Sequence, residues 1–329
     1  MAPKLIFNVG LLFLMMLPGV IMKKCRLSTD GLGKGLSNLV LYVAQPALIF
    51  LAYLRPYDSN ILKTAIEVLM FSVVAHALFA LVAMLCFKKA PDAARRMLRF
   101  ATIFSNAAFM GIPLIEAVMG SEATLYASIY NITFNLFLWS LGVHICTVPT
   151  DENEDGVIDE SEIARVHKKS EASLKKAILH PVTLAAFLGL IFFFLPIDTY
   201  VPTIIIDALS MLKGLVAPLS MVVLGLRLAD LKLKGLFTDK NMYLFLALRH
   251  IALPALVFAI MRLLILAGFA ISDTALTVMM IMTSTPAASS ATMFAEKYDC
   301  DAAYVSRLVA ISTILSIATM PLMILLVEI

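Results

Sequence analysis

Two segments of this chain combine residue types that seldom meet inside an apolar run: FSNAAFMGIPLIE at 104–116 and TSTPAASSATMF at 283–294. Each lies midway along a hydrophobic stretch. Gly111 and Pro113 break the first and Pro286 breaks the second. A proline removes one backbone hydrogen bond and clashes with the preceding turn. In lipid, backbone groups freed in this way are tolerated only where protein or a water-filled cavity satisfies them. Ser105, Asn106, Ser284, Thr285, Ser289 and Ser290 surround the breaks and could satisfy that backbone or contact a substrate. A broken helix also leaves a half-helix whose N-terminus carries free N–H groups and partial positive charge. Two such ends meeting near the membrane centre would form an anion site without a fixed cation. The plainer alternative is a kink at each proline, with the hydroxyls bonded back to the i−4 carbonyl. Two breaks at matched positions favour the site.

A third segment, DENEDGVIDESE at 151–162, suggests metal chemistry. Asp151, Asn153 and Asp155 fall at positions 1, 3 and 5 of an EF-hand loop, with Gly156 at the sharp turn. Val157 would give its carbonyl at position 7, Asp159 occupies position 9 and Glu162 is the bidentate ligand at 12. Pro149 spoils the entering helix, and the sequence shows no second loop to pair with it. The segment reads either as a weak Ca2+ site or as an acidic linker.

The elements that must position these residues follow from composition. Of 329 residues, 61% are hydrophobic and 15% charged, and the mean hydropathy is +0.92. Soluble domains average roughly 45–50% apolar and about 25% charged residues. The class is therefore all-α integral membrane, with the lipid bilayer as its first partner. A spanning helix takes about 20 apolar residues, and ten stretches qualify: 5–22, 33–54, 61–87, 97–119, 122–147, 178–195, 203–226, 241–267, 274–295 and 303–327. The first is expected to be a retained helix, because its Lys23–Lys24–Arg26 cluster follows the apolar run. Basic residues recur beside every second span, which predicts N-terminus and C-terminus outside and the 148–177 loop in the cytoplasm of a plasma (inner) membrane protein. This alternation also argues against nucleic acid as a partner. Cys25, Cys86, Cys146 and Cys300 all fall near the inner side, where thiols stay reduced. No HExxH, G-x-S-x-G or GxxxxGK[ST] signature occurs, so no enzyme chemistry is expected.

The 148–177 linker separates five spans (1–147) from five (178–329). An odd number of spans per half forces opposite orientations, so a repeat here is an inverted one, as is common in secondary transporters. LSNLVLYVAQPALIF (36–50) resembles LSMLKGLVAPLSMVV (209–223), each with a mid-span proline. At an offset of 179, Ser105 falls on Ser284 and Asn106 on Thr285.

With LSNLVLYVAQPALIF, FSNAAFMGIPLIEAVMG and TSTPAASSATMFAEKY in this order, the chain resembles the auxin efflux carrier family, which includes plant PIN proteins and bacterial organic-acid permeases. The resemblance implies a scaffold of spans 1, 2, 6 and 7. It also implies a transport unit of spans 3–5 and 8–10, with broken helices 4 and 9 crossing at the substrate site and an elevator-like movement. In the PIN proteins an Asn near each crossover proline helps hold the substrate carboxylate. Asn106 fits the first half; Thr285 stands where the second Asn would be. That departure counts against auxin and leaves room for a smaller carboxylate.

Other polar residues within spans are functional candidates because burying them in lipid is costly. Gln45, Asn131 and Asn135 join Asn106, Gly111, Pro113, Ser284, Thr285, Pro286 and Ser289 as the expected substrate site. Glu116, His76 and His250 are candidates for carrying a coupling H+ or Na+. The function these features predict is secondary transport of small organic anions, and a homodimer is among the expected partners. The rivals are a cation-coupled or cation-exchanging carrier of the same fold, and a non-transporting receptor with a calcium-responsive loop.

Overall fold

The computed structural model describes residues 2–29, 31–147, 178–195, 201–229, 239–298 and 300–328. The 151–162 segment, with Asp151, Asn153, Asp155, Val157, Asp159 and Glu162, lies outside them. Among the described residues the protein is helical throughout, with no strands. Seven helices of the described residues are long and apolar enough to cross a membrane: α1 (Ile6–Lys24), α2 (Leu32–Tyr53), α3 (Ser59–Leu85), α6 (Ser121–Thr147), α8 (Thr203–Ala229), α9 (Lys240–Leu266) and α12 (Ala302–Leu325). The expected fourth and ninth spans are instead helix pairs, α4 (Asp92–Ile103) with α5 (Ala107–Met119), and α10 (Asp273–Ser284) with α11 (Ser290–Lys297). A shorter apolar helix, α7 (Pro181–Phe194), covers most of the expected sixth span.

Helix starts follow ordinary capping chemistry, in which a short polar side chain accepts from a free N–H of the first turn. Asp58 accepts from the Asn60 N–H at 2.7 Å, Ser272 from Ala275 at 3.1 Å and Asp301 from Tyr304 at 2.8 Å. Inside the helices, proline sets a different pattern. Wide π-turns at Val40–Ala44, Ala107–Gly111 and Leu248–Ala252 each end two residues before a proline: Pro46, Pro113 and Pro254. Widening the turn relieves the clash between the proline ring and the i−4 carbonyl, and it frees backbone groups for other partners.

Glycines let helices meet backbone to backbone. A Cβ on Gly19 of α1 would stand 2.2 Å from the Val222 carbonyl oxygen of α8, and one on Gly225 would stand 2.0 Å from that of Met16. In lipid, small residues at such contacts permit the close van der Waals approach that holds helices together. α2 packs on α7 through a side chain instead: a Cβ on Gly189 would meet the Tyr53 side chain at 2.8 Å. The buried core is centred on α4, α5, α6 and α10, while much of α3, α7 and the first half of α8 is exposed.

Candidate functional site

The two interrupted regions meet. Phe104–Asn106 and Pro286–Ala288 run antiparallel, bridged at Ser105 and Ala287. The Asn106 N–H donates to the Pro286 carbonyl at 2.7 Å, and the Ala288 N–H donates to the Phe104 carbonyl at 2.8 Å. Each break thus satisfies part of the other's freed backbone, as lipid burial demands. The approach needs Gly111: a Cβ there would lie 2.7 Å from the Met282 sulfur and 3.3 Å from the Thr285 methyl.

Beside this bridge is a cavity of about 90 Å3. Its polar lining includes Gln45 from α2, Ser105 and Asn106 from the first break, Asn131 and Asn135 from α6, and Ser289 and Ser290 at the start of α11. Its apolar walls include Phe134, Trp139 and Phe294. Trp139 and His180 place the cavity on the side where α6 ends and α7 begins. No Lys, Arg, Asp or Glu lines it among the described residues.

Three buried side-chain amide atoms of this lining have no partner: Asn106 Nδ2, Gln45 Oε1 and Asn131 Oδ1. Such atoms cost roughly 1–3 kcal/mol each unless something binds them. The other end of Gln45 is used, since its Nε2 donates to the Ala108 carbonyl freed by the π-turn. The cavity therefore presents one amide donor and two amide acceptors to a small polar guest.

The expected site residues separate into two groups. Gln45, Asn106, Asn131, Asn135 and Ser289 come together at the cavity. Gly111, Pro113, Ser284, Thr285 and Pro286 do not line it. The Thr285 hydroxyl turns back onto the Met282 carbonyl at 2.9 Å, so this residue offers the cavity no counterpart to the Asn106 amide. Glu116 stands apart from the cavity, paired with Lys213 of α8 at 2.5 Å and accepting from the Thr124 hydroxyl at 2.5 Å. His76 is buried among Tyr130, Phe134 and Phe137, with Nδ1 2.7 Å from the Ser72 carbonyl oxygen and Nε2 unpartnered. His250 is bonded at both nitrogens, to Thr319 at 2.9 Å and to Ser312 at 2.8 Å. Ser312 in turn accepts the Ala287 N–H at 2.9 Å. His250 is thus one hydroxyl removed from the second break.

The sequence pattern led us to expect paired half-helix ends without a fixed cation. The structure differs. Arg249, fully buried in the π-turn of α9, donates to the carbonyls of Thr283 (2.9 Å) and Thr285 (2.8 Å) at the end of α10. It also reaches the Thr102 carbonyl at the end of α4, at 3.2 Å, and its guanidinium carbon lies 5.5 Å from the centre of the Phe79 ring. A second arginine, Arg227 of α8, donates to the Ser289 carbonyl. Sequence reasoning assigned neither a role at the breaks and passed over Trp139 and His180. The available signal was a basic residue, Arg249, five positions before Pro254 inside an apolar run, where ionisable groups are costly.

The family described as membrane transport protein matches residues 5–324. An uncharacterized transporter of Methanothermobacter thermautotrophicus is 27% identical over 310 residues, covering 94% of this chain and 93% of its own. An uncharacterized transporter of Methanocaldococcus jannaschii is 24% identical over 298 residues, covering 88% of each. With the match spanning nearly the whole chain, the protein belongs to the membrane transport protein family, the auxin efflux carrier family that its three motifs resemble.

Proposed function

We propose that this protein is a secondary transporter of small organic carboxylates, with the substrate held at the paired breaks. The observation that carries the reading is the Asn106 amide, buried and unpartnered at the edge of the cavity, where the two interrupted regions bond each other. A carboxylate oxygen is the natural acceptor for that N–H, and the start of α11 at the cavity favours negative charge. Thr285, where a second Asn would stand, leaves the breaks one amide donor, which favours a smaller acid over auxin.

The architecture that serves this function is a ten-span inverted repeat, 1–147 and 178–329, in which helices 4 and 9 cross at the substrate. Spans 1, 2, 6 and 7 form the scaffold and spans 3–5 and 8–10 the moving unit. In this reading Gln45–Ala108 and Lys213–Glu116 are contacts between scaffold and moving unit, and they part when the unit slides. Glu116 is then the first candidate for a coupling proton, since its contact with Lys213 is one of those that part.

Uptake into proteoliposomes of a panel of labelled mono- and dicarboxylates, at varied pH and sodium, tests the reading. Saturable flux of at least one acid is expected. No saturable flux for any anion would sink it. Flux that rises with sodium at constant pH would replace the proton by sodium as the coupling ion.

A further inference from the structure

We propose that Arg249 is the positioning residue that makes the cavity selective for anions. This rests on the carboxylate reading above and names what gives that site its charge.

The electrostatics of two broken helices contain a difficulty. Each break places the N-terminus of one half-helix beside the C-terminus of another. The partial charges at the two ends are of opposite sign and roughly equal size. Side by side, the C-termini of α4 and α10 would largely cancel the N-termini of α5 and α11, and the cavity would have little preference for an anion.

Arg249 removes that cancellation. Its guanidinium donates to Thr102 at the end of α4 and to Thr283 and Thr285 at the end of α10, so one cation covers both C-termini. It is fully buried, and no carboxylate lies within ion-pair distance of it among the described residues. A buried charge without a partner is costly. Here the excess positive charge lies directly behind the bridge, because Thr285 precedes Pro286, the acceptor of the Asn106 N–H. Among the described residues the cavity itself has no Lys, Arg, Asp or Glu in its lining. An anion seated there lies beside positive charge that no carboxylate among the described residues balances, whereas a cation would be repelled. The fork shape of the guanidinium matters as well, since a lysine could supply the charge but not bonds to three separate carbonyls.

The chain has a single tryptophan, Trp139, and it lines the cavity. Its fluorescence therefore reports which solutes enter, without any need to know the substrate. The Lys297 ammonium lies 5.4 Å from the Trp139 ring, so the measurement belongs in a Lys297→Gln background, which removes that local charge. Iodide and acrylamide quenching are measured on the purified full-length protein at constant ionic strength. Each is normalised to quenching of free N-acetyltryptophanamide.

Arg249→Met is expected to lower the iodide constant about fivefold, the scale of one partly screened unit charge, and to leave the neutral acrylamide constant unchanged. Arg249→Lys should keep most of the iodide response. An unchanged iodide constant in Arg249→Met would overturn the proposal. A parallel fall with acrylamide would also overturn it, because that signals a collapsed cavity and not a lost charge. If Arg249→Met does not fold, the Lys297→Gln protein alone still decides: normalised iodide quenching must exceed normalised caesium quenching, and equality refutes the inference. The outcomes stay separable. Iodide selectivity without uptake of any carboxylate leaves the role of Arg249 standing and removes the carboxylate reading. Saturable carboxylate uptake with no iodide selectivity does the reverse.

Discussion

The two breaks occupy matched positions in the sequence and do unequal work in the structure. The second is held by three side chains: Arg249 binds the Thr285 carbonyl, Ser312 the Ala287 N–H and Arg227 the Ser289 carbonyl. The first is held by Gln45 and by the second break itself. Of the two aligned polar side chains, Asn106 leaves an amide donor free at the cavity, while Thr285 spends its hydroxyl on its own helix. A repeat that looks symmetric has thus divided its labour. One break is a fixed anvil, and the other leaves a hydrogen-bond donor free at the cavity.

Four substitutions break or sharpen this contrast, and the largest effect comes from forcing the breaks apart. Gly111→Val places methyl groups where Met282 and Thr285 already sit, an overpacking cost of about 1–3 kcal/mol or more. Loss of all measurable uptake is expected, with a lower melting temperature in detergent; near-normal uptake would mean that the close pairing is dispensable. Asn106→Ala comes next. Removing a hydrogen bond to a charged guest costs about 1.5–3 kcal/mol, so KM for a transported acid should rise about 10- to 100-fold. Its thermal stability should hold, because the amide nitrogen has no protein partner to lose.

Ser312→Ala attacks the fixed side. It leaves the Ala287 N–H unpaired and takes one partner from His250, so thermal unfolding should show a loss of about 1–3 kcal/mol. Its KM should move less than that of Asn106→Ala. The smallest effect belongs to Thr285→Val, which keeps the shape and removes only the bond to Met282. KM within about twofold of the parent is expected, since a local hydroxyl–carbonyl bond is worth about 1 kcal/mol and faces away from the cavity. If Thr285→Val matched Asn106→Ala, the two breaks would be equivalent after all.

The breaks themselves were legible in the sequence because proline and glycine act through the backbone, and their consequence in an apolar run does not depend on neighbours. Asn106, Gln45, Asn131 and Asn135 were legible for a related reason: an amide buried in lipid needs a partner, and few partners are near. Arg249 was harder to place. A lone basic residue in a span reads equally well as a side chain reaching for the membrane surface. Only the π-turn at Leu248–Ala252, and the arrival of Thr102 from a distant part of the chain, show that it binds carbonyls instead. The opposite error applied to Thr285, where alignment with Asn106 promised a ligand. A threonine hydroxyl within reach of the previous turn bonds there first, whereas the longer asparagine amide does not. The long-range pairing of Glu116 with Lys213 is likewise invisible to a pattern that sees only neighbours in sequence.

One contact also bears on how the molecule comes into being. Gly19 and Gly225 meet where α1 and α8 press backbone on backbone, yet the second glycine is made some 200 residues after the first. At roughly 5–20 residues per second, α1 waits about 10–40 s for its mate. During that interval its bare glycine face is open to any helix that can come as close. The order of synthesis thus gives the earliest helix its longest exposure to wrong partners. A substitution at Gly19 should therefore lower the yield of assembled protein before it changes any property of the finished one.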